Sequence, residues 1–142
     1  MESLEFFAYQ AKEGPKIPLF QMSVSAGYPS APAEQDIDRI VDLNEFLIEH
    51  PAATFFARVN GHNLRRLGIN DGDVLIIDSA IDPADSKLVV ALINGELTLK
   101  YYREINGKKY LQGEDRSFVP ISIEPYLDFN IIGVVTKVIH SL

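Results

Sequence analysis

The chain has 142 residues, 46% of them hydrophobic and 23% charged, with a net charge of −7 and no cysteine. One domain is the natural expectation at that length, and it can bury a core without covalent staples. The missing cysteines exclude disulfides and thiolate metal sites, and the acidity argues against independent duplex-DNA binding, which relies on clustered Lys and Arg.

The first residues, "MESLEFFAYQ", lack the basic region and apolar run of a secretory signal. No stretch approaches the roughly 18 apolar residues of a membrane span. A soluble cytoplasmic protein with no membrane contact is expected. Residues 1–39 read as an extended N-terminal arm: "KEGPKIPLFQMSVSAGYPSAPAEQ" carries Pro15, Pro18, Pro29 and Pro32 with Gly14 and Gly27, and has no sustained period. No pair of amphipathic helices is available there for a helix-turn-helix. Residues 40–142 read as the folded domain.

The convincing helix is "VDLNEFLIEHP". Asp42 caps it, Glu45 is its capping-box partner, His50-Pro51 ends it, and Leu43, Phe46 and Leu47 form the apolar face that would brace a sheet. Strands follow. "ATFFARV" and "DVLIIDSA" are β-branched or aromatic runs. "KLVVALI" and "ELTLKYYR" flank Asn94-Gly95, and "YYREI" and "KKYLQG" flank Asn106-Gly107, so two tight hairpins are expected. "FNIIGVVTKVIH" is a long closing strand with a bulge at Gly133. The fold class is therefore mainly β: a compact sheet or distorted barrel with one or two short helices.

Alternation along "ELTLKYYR" puts Leu97, Leu99 and Tyr101 on one face and Glu96, Thr98, Lys100 and Tyr102 on the other. From this strand alone Lys100 is an ordinary solvent-facing lysine. Asp71-Gly72-Asp73 has no further carboxylates at calcium-loop spacing and reads as a tight turn. No cofactor or metal is expected. The basic pairs Arg65-Arg66 and Lys108-Lys109 read as solvated turns.

The order of motifs says more. "GHNL" at 61–64, "GINDGDVLIIDSA" at 68–80 and "NGELTLK" at 94–100 follow one another at the spacing of the LexA/UmuD peptidase family, and the segment "FARVNGHNLRRLGINDGDVLIIDSAIDPADSKLVVALINGELTLKYY" resembles that family's peptidase domain. "PLFQMSVSAGYPSAP" resembles its self-cleavage arm, with Ala26-Gly27 in the place of the cleaved bond. "DLNEFLIEHPAATFF" is similar to the UmuD branch. The resemblance spans roughly residues 18 to 140. With only 26 residues before the bond, no DNA-binding domain of the LexA type is expected ahead of it.

That resemblance implies a serine/lysine peptidase fold with a nucleophile at position 63 and a general base at Lys100. It implies an SOS-response role: a homodimer, or a heterodimer with an intact UmuD-like paralogue, that meets the RecA-ssDNA filament, loses its arm and joins a Y-family polymerase catalytic subunit for translesion synthesis. Position 63 is Asn, however. A carboxamide nitrogen is delocalised and cannot form the acyl-enzyme, and loss of the nucleophile costs about six orders of magnitude in a serine protease. His62 stands where the family has Asp, Leu64 where it often has Met, and Ser86-Lys87 where it has Gly-Asp. Ser25, Ser79, Ser86, Ser117 and Ser122 are poor substitute nucleophiles by position. The leading expectation is a UmuD-like accessory subunit with a degenerate self-cleavage site. The alternatives are an active autopeptidase captured as an inactivated variant and a decoy regulator of SOS proteins.

Overall fold

The computed structural model describes residues 3–8, 14–20, 37–62, 64–113, 120–125 and 127–142. The chain divides into two compact units, residues 10–49 and residues 1–9 with 50–142.

In the smaller unit, β2 (Lys16–Phe20) pairs antiparallel with β3 (Ile37–Asp42), Lys16 lying opposite Asp42. Asp42 then caps α1 (Leu43–Leu47): Oδ1 accepts the Asn44 N–H at 2.8 Å and Oδ2 the Gly14 N–H at 2.9 Å. The Gly14 N–H above all, and then that of Asn44, holds the Asp42 carboxyl below its usual range. The helix stops at Leu47, short of the expected His50, because Ile48 is already extended. One short turn cannot carry an apolar stripe. Leu43 and Phe46 accordingly stay exposed, Arg39 lies 5.1 Å over the Phe46 ring, and Ile48 is the side chain that is buried. The expected bracing face is therefore corrected.

The larger unit holds an eight-stranded sheet. Its strands are β1 (Ser3–Ala8), β4 (Thr54–Asn60), β5 (Val74–Asp78), β6 (Lys87–Ile93), β7 (Glu96–Ile105), β8 (Lys108–Gln112), β9 (Ile121–Ser122) and β10 (Phe129–Ile139). Their order is β1-β4-β5-β10-β6-β7-β8-β9, with every neighbouring pair antiparallel. A mainly β fold is what the sequence predicts. The β1 strand is not: residues 3–8 of the presumed arm form an edge strand of the main sheet.

Both Asn-Gly pairs make the expected hairpins. Asn94 and Gly95 have φ of 49° and 81°, Asn106 and Gly107 φ of 52° and 77°. Two successive positive φ values define the type I′ turn whose twist suits a two-residue connection. The long β10 changes partners along its length, pairing with β6 through Phe129–Val134 and with β5 through Val134–Ile139. Register shifts between Ile131 and Gly133 and between Val135 and Lys137 bend it, so the expected bulge at Gly133 is present.

Successive residues of the central strands are buried on opposite faces. Ala57, Val59, Leu64, Ile69, Leu75, Ile77, Val90 and Leu99 form one core cluster. Val89, Ala91, Tyr102, Leu111 and Val134 form another. At about 1.5–3 kcal/mol per fully buried large apolar side chain, these two layers are the main source of stability. They also fix the strand register, since a one-residue slip would exchange the layers.

Candidate functional site

Lys100 lies in the middle of β7, opposite Val89 of β6. The face it shares with Tyr102 is covered, not open. Tyr102 is buried in the second core cluster and Lys100 is half-buried. On the other face Leu99 is buried, while Leu97 is 41% exposed at the hairpin end. The solvent-facing reading of Lys100 is thus corrected by the second apolar layer, which a single strand cannot reveal. Beyond the end of β8, Gly113 faces the lysine, and a Cβ there would stand 3.7 Å from Lys100 Nζ. Among the described residues no carboxylate comes within ion-pair distance of Lys100.

Asn63, Ala26 and Gly27 lie outside the described residues. The chain on either side of position 63 is firmly placed. The Gly61 N–H donates to Asp71 Oδ1 at 2.8 Å. Leu64 is buried in the first core cluster, and its carbonyl accepts from Leu67 N–H at 3.0 Å and Ile69 N–H at 3.2 Å. His62 is exposed, its Nδ1 3.4 Å from Arg65 Nη2, which suits a turn histidine. Ser79 donates to the Ala53 carbonyl and Ser122 to Glu124 Oε1, so both hydroxyls are engaged by other partners. Ser25 and Ser117 lie outside the described residues.

Asp71-Gly72-Asp73 is the tight turn expected from sequence, with Gly72 at φ 85° and the Asp73 N–H donating to the Asn70 carbonyl. Its carboxylates work for the fold. Asp73, 1% exposed, accepts the Asn70 N–H at 2.8 Å, and His140 Nδ1 stands 2.6 Å away. Burial pushes the Asp73 carboxyl up, but the Asn70 N–H and His140 together outweigh it and leave the group below its usual range. At the other end of β5, Asp78 is buried 2.6 Å from His50 Nδ1. Sequence reading missed both pairs, whose members lie 67 and 28 residues apart.

A cleft of about 400 Å³ opens beside Gly113, lined by Arg66, Leu67, Ser86, Tyr101, Arg103 and Gln112. Its wall is braced by Asp85, which accepts from Arg103 Nε at 3.0 Å and from the Glu104 N–H at 2.9 Å. The Glu104 N–H first and Arg103 second lower the Asp85 carboxyl from its usual range. Ser86 sits at φ 70°, a left-handed conformation that costs a non-glycine residue about 1–2 kcal/mol. The geometry is therefore a half-buried lysine facing Gly113 at the end of β8, with a polar cleft bordered by Tyr101 and Arg103 of the same strand.

Residues 18–136 match the family described as Peptidase S24-like. The chain belongs to the Peptidase S24-like family. Within it, the order of motifs and the relatives make it a UmuD-like member of the LexA/UmuD group. It is 36% identical over 129 residues to Protein ImpA of Salmonella typhimurium, covering 87% of this chain and 83% of the relative. Protein SamA of Salmonella typhimurium strain LT2 is 37% identical over 129 residues, with 87% and 85% covered. The LexA repressor of Colwellia psychrerythraea is 32% identical over 119 residues, spanning 83% of this chain but 56% of the repressor. Among the described residues no helix is long and apolar enough to cross a membrane.

Proposed function

We propose that this S24 member is a cytoplasmic UmuD-like accessory subunit of SOS mutagenesis that acts by binding and does not cut its own arm. The observation that carries the reading is the asymmetry of the site. Lys100, which the resemblance puts at the general-base position, is half-buried on β7 against Gly113, while the residue it puts at the nucleophile position is Asn63. A lysine base with no hydroxyl to deprotonate has no peptidase function. In this reading Ala26-Gly27 stays uncut unless an intact UmuD-like paralogue in a mixed dimer supplies its own serine. The partners are a second UmuD-like chain, a RecA-ssDNA filament and a Y-family polymerase catalytic subunit. No cofactor takes part. Likeness to ImpA, SamA and MucA along most of each chain supports the SOS assignment.

The test is intact mass after incubation with RecA activated on single-stranded DNA, for the chain as written and for Asn63→Ser. The expected result is an intact chain as written and loss of the arm at Ala26-Gly27 in the serine variant. Cleavage of the unaltered chain would overturn the reading. Recovery of RecA or a UmuD-like protein with no polymerase subunit in a pull-down would replace the polymerase role with that of a decoy.

A further inference from the structure

The polar cleft beside β7 plays no part in the chemistry of Lys100. Tyr101 lies opposite Leu88 of β6 and Gln112 of β8, and directly opposed residues share a sheet face. Leu88 packs against the first core cluster, and so does Leu67 from the short turn Arg65–Leu67. The cleft therefore opens on the face of the first cluster, while alternation along β7 sends Lys100 to the other face.

This lining offers hydrogen-bond donors. Arg103 is held in place by two contacts: Nε donates to Asp85 Oδ1 at 3.0 Å and Nη1 to Gln112 Oε1 at 3.4 Å. A guanidinium can only donate, so the Gln112 amide turns its oxygen to Arg103 and keeps its NH2 group for another partner. Arg103 Nη2 and the hydroxyl of half-buried Tyr101 have no hydrogen-bond partner among the described residues. Arg66 brings a second guanidinium to the same cleft. Among the described residues no acidic side chain lines it, and Asp85 beside it is occupied by Arg103 and by the Glu104 N–H. On a chain of net charge −7, so many donors around one concavity call for a ligand that only accepts.

We infer that this cleft is a binding site for a carboxylate carried on a peptide, with Arg66, Tyr101, Arg103 and Gln112 as its donors. Two guanidiniums against the neighbouring Asp85 leave a single positive charge. One carboxylate balances that charge, and a phosphate dianion exceeds it. The planar guanidinium fork also matches the two oxygens of a carboxylate. Leu67 and the Tyr101 ring give the attached carbon chain an apolar wall. A nucleic-acid backbone, with its row of phosphates, is repelled by a chain this acidic. At about 400 Å³ the cleft has the size of a small-ligand site, so it takes a chain end or one acidic side chain and not a folded surface.

The test is a titration of the full-length, isotope-labelled chain followed by amide NMR through the millimolar range. Four probes are used: N-acetylleucine, which carries a terminal carboxylate; N-acetylglutamic acid α-amide, which carries a side-chain carboxylate; N-acetylleucinamide, which carries none; and inorganic phosphate. The expected result is saturable shifts of the amides around Tyr101, Arg103 and Gln112 with one or both carboxylates and none with the uncharged amide. Whichever carboxylate binds more tightly tells a chain end from a side chain as the natural source. Tyr101→Phe removes one hydroxyl and Arg66→Gln one charge, and each should weaken binding by about tenfold while leaving the rest of the spectrum unchanged. Equal binding of the uncharged amide, tighter binding of phosphate, or no saturable shift with either carboxylate overturns the proposal. So does binding that survives either substitution unweakened. None of these outcomes depends on Asn63 or on arm cleavage, so the site stands or falls apart from the peptidase reading.

Discussion

Gly133 is where the fold can be challenged most sharply. It lies in β10 at the bulge, where that strand passes from β6 to β5. A Cβ at this position would stand 2.7 Å from Ile77 Cγ2 and 3.1 Å from the Asp78 carbonyl oxygen. Ile77 is fully buried in the first core cluster, and the other neighbour is backbone, so neither can yield cheaply. Overpacking of this kind costs about 1–3 kcal/mol, and the backbone contact favours the upper half of that range. Gly133 is not in the left-handed region, so Gly133→Ala also gains about 0.4–1 kcal/mol by restricting the unfolded chain. The net expectation is a loss of about 1.5–2 kcal/mol, or a fall in Tm of roughly 5 °C for a chain of this size. Gly113→Ala is the internal control. Its Cβ meets Lys100 Nζ at 3.7 Å, an ordinary contact, and should move Tm by no more than about 2 °C. Thermal melts followed by circular dichroism, with urea midpoints, measure both. Equal melting temperatures for the two variants would refute the packing of β10 against β5 described above.

Acid should act through Asp73. Its folded pKa is lowered, so its contribution is fully present above the ordinary carboxylate range near 3.8 and is lost as pH falls through the depressed value. His140→Ala removes one of the groups that lower it, costs about 1 kcal/mol at pH 7, and makes the acid loss smaller and complete at a higher pH. Urea midpoints between pH 3 and 7 check this, and parallel profiles for the two proteins would count against it. Gly95→Ala puts a Cβ at φ 81° with no steric contact, so it should cost about 1 kcal/mol from backbone strain alone, read from the urea midpoint without a change in m. In an Asn63→Ser background, Lys100→Ala should abolish arm cleavage completely, and retention of RecA-stimulated cleavage in mass spectra would remove the lysine from the chemistry.

What the sequence made legible was local. Asn94-Gly95 and Asn106-Gly107 announced their hairpins because two consecutive positive φ values demand those residue types. The Asp42 cap was visible for the same reason, since donor and acceptor are two residues apart. The helix end was not visible, because Ile48 leaves the helix to bury itself and tertiary burial overrides a periodic pattern. β1 was hidden by its neighbours: "SLEFFA" alternates poorly and precedes a proline-rich stretch, and only the distant edge of β4 makes it a strand. The two His–Asp pairs were equally unreadable, because nothing near either histidine names its partner. Within the candidate site, Lys100 was found through motif order and its half-buried state only through the layer around Tyr102.

Ser86 holds a backbone conformation that glycine adopts at less cost. The resemblance puts glycine at this position, and the chain here still adopts φ 70°, as glycine would allow. Three contacts impose that conformation. The Ser86 N–H donates to the Tyr102 carbonyl at 2.8 Å, the Lys87 N–H closes the turn on the Ala84 carbonyl at 3.1 Å, and Ser86 Oγ reaches Asp85 Oδ2 at 3.3 Å. The turn thereby starts β6 in register with the β7 strand that carries Lys100. If the surroundings hold this geometry, Ser86→Gly relieves about 1 kcal/mol of strain but returns a similar amount in unfolded-state entropy, for a net change within about 0.5 kcal/mol. Ser86→Val, branched at Cβ, has no comparable relief and should lose at least about 1.5 kcal/mol. The gap between the two variants in urea midpoint reports the backbone directly. A valine variant as stable as the glycine one would mean that the turn has relaxed, and that the strand presenting Lys100 is no longer held as the family's architecture requires.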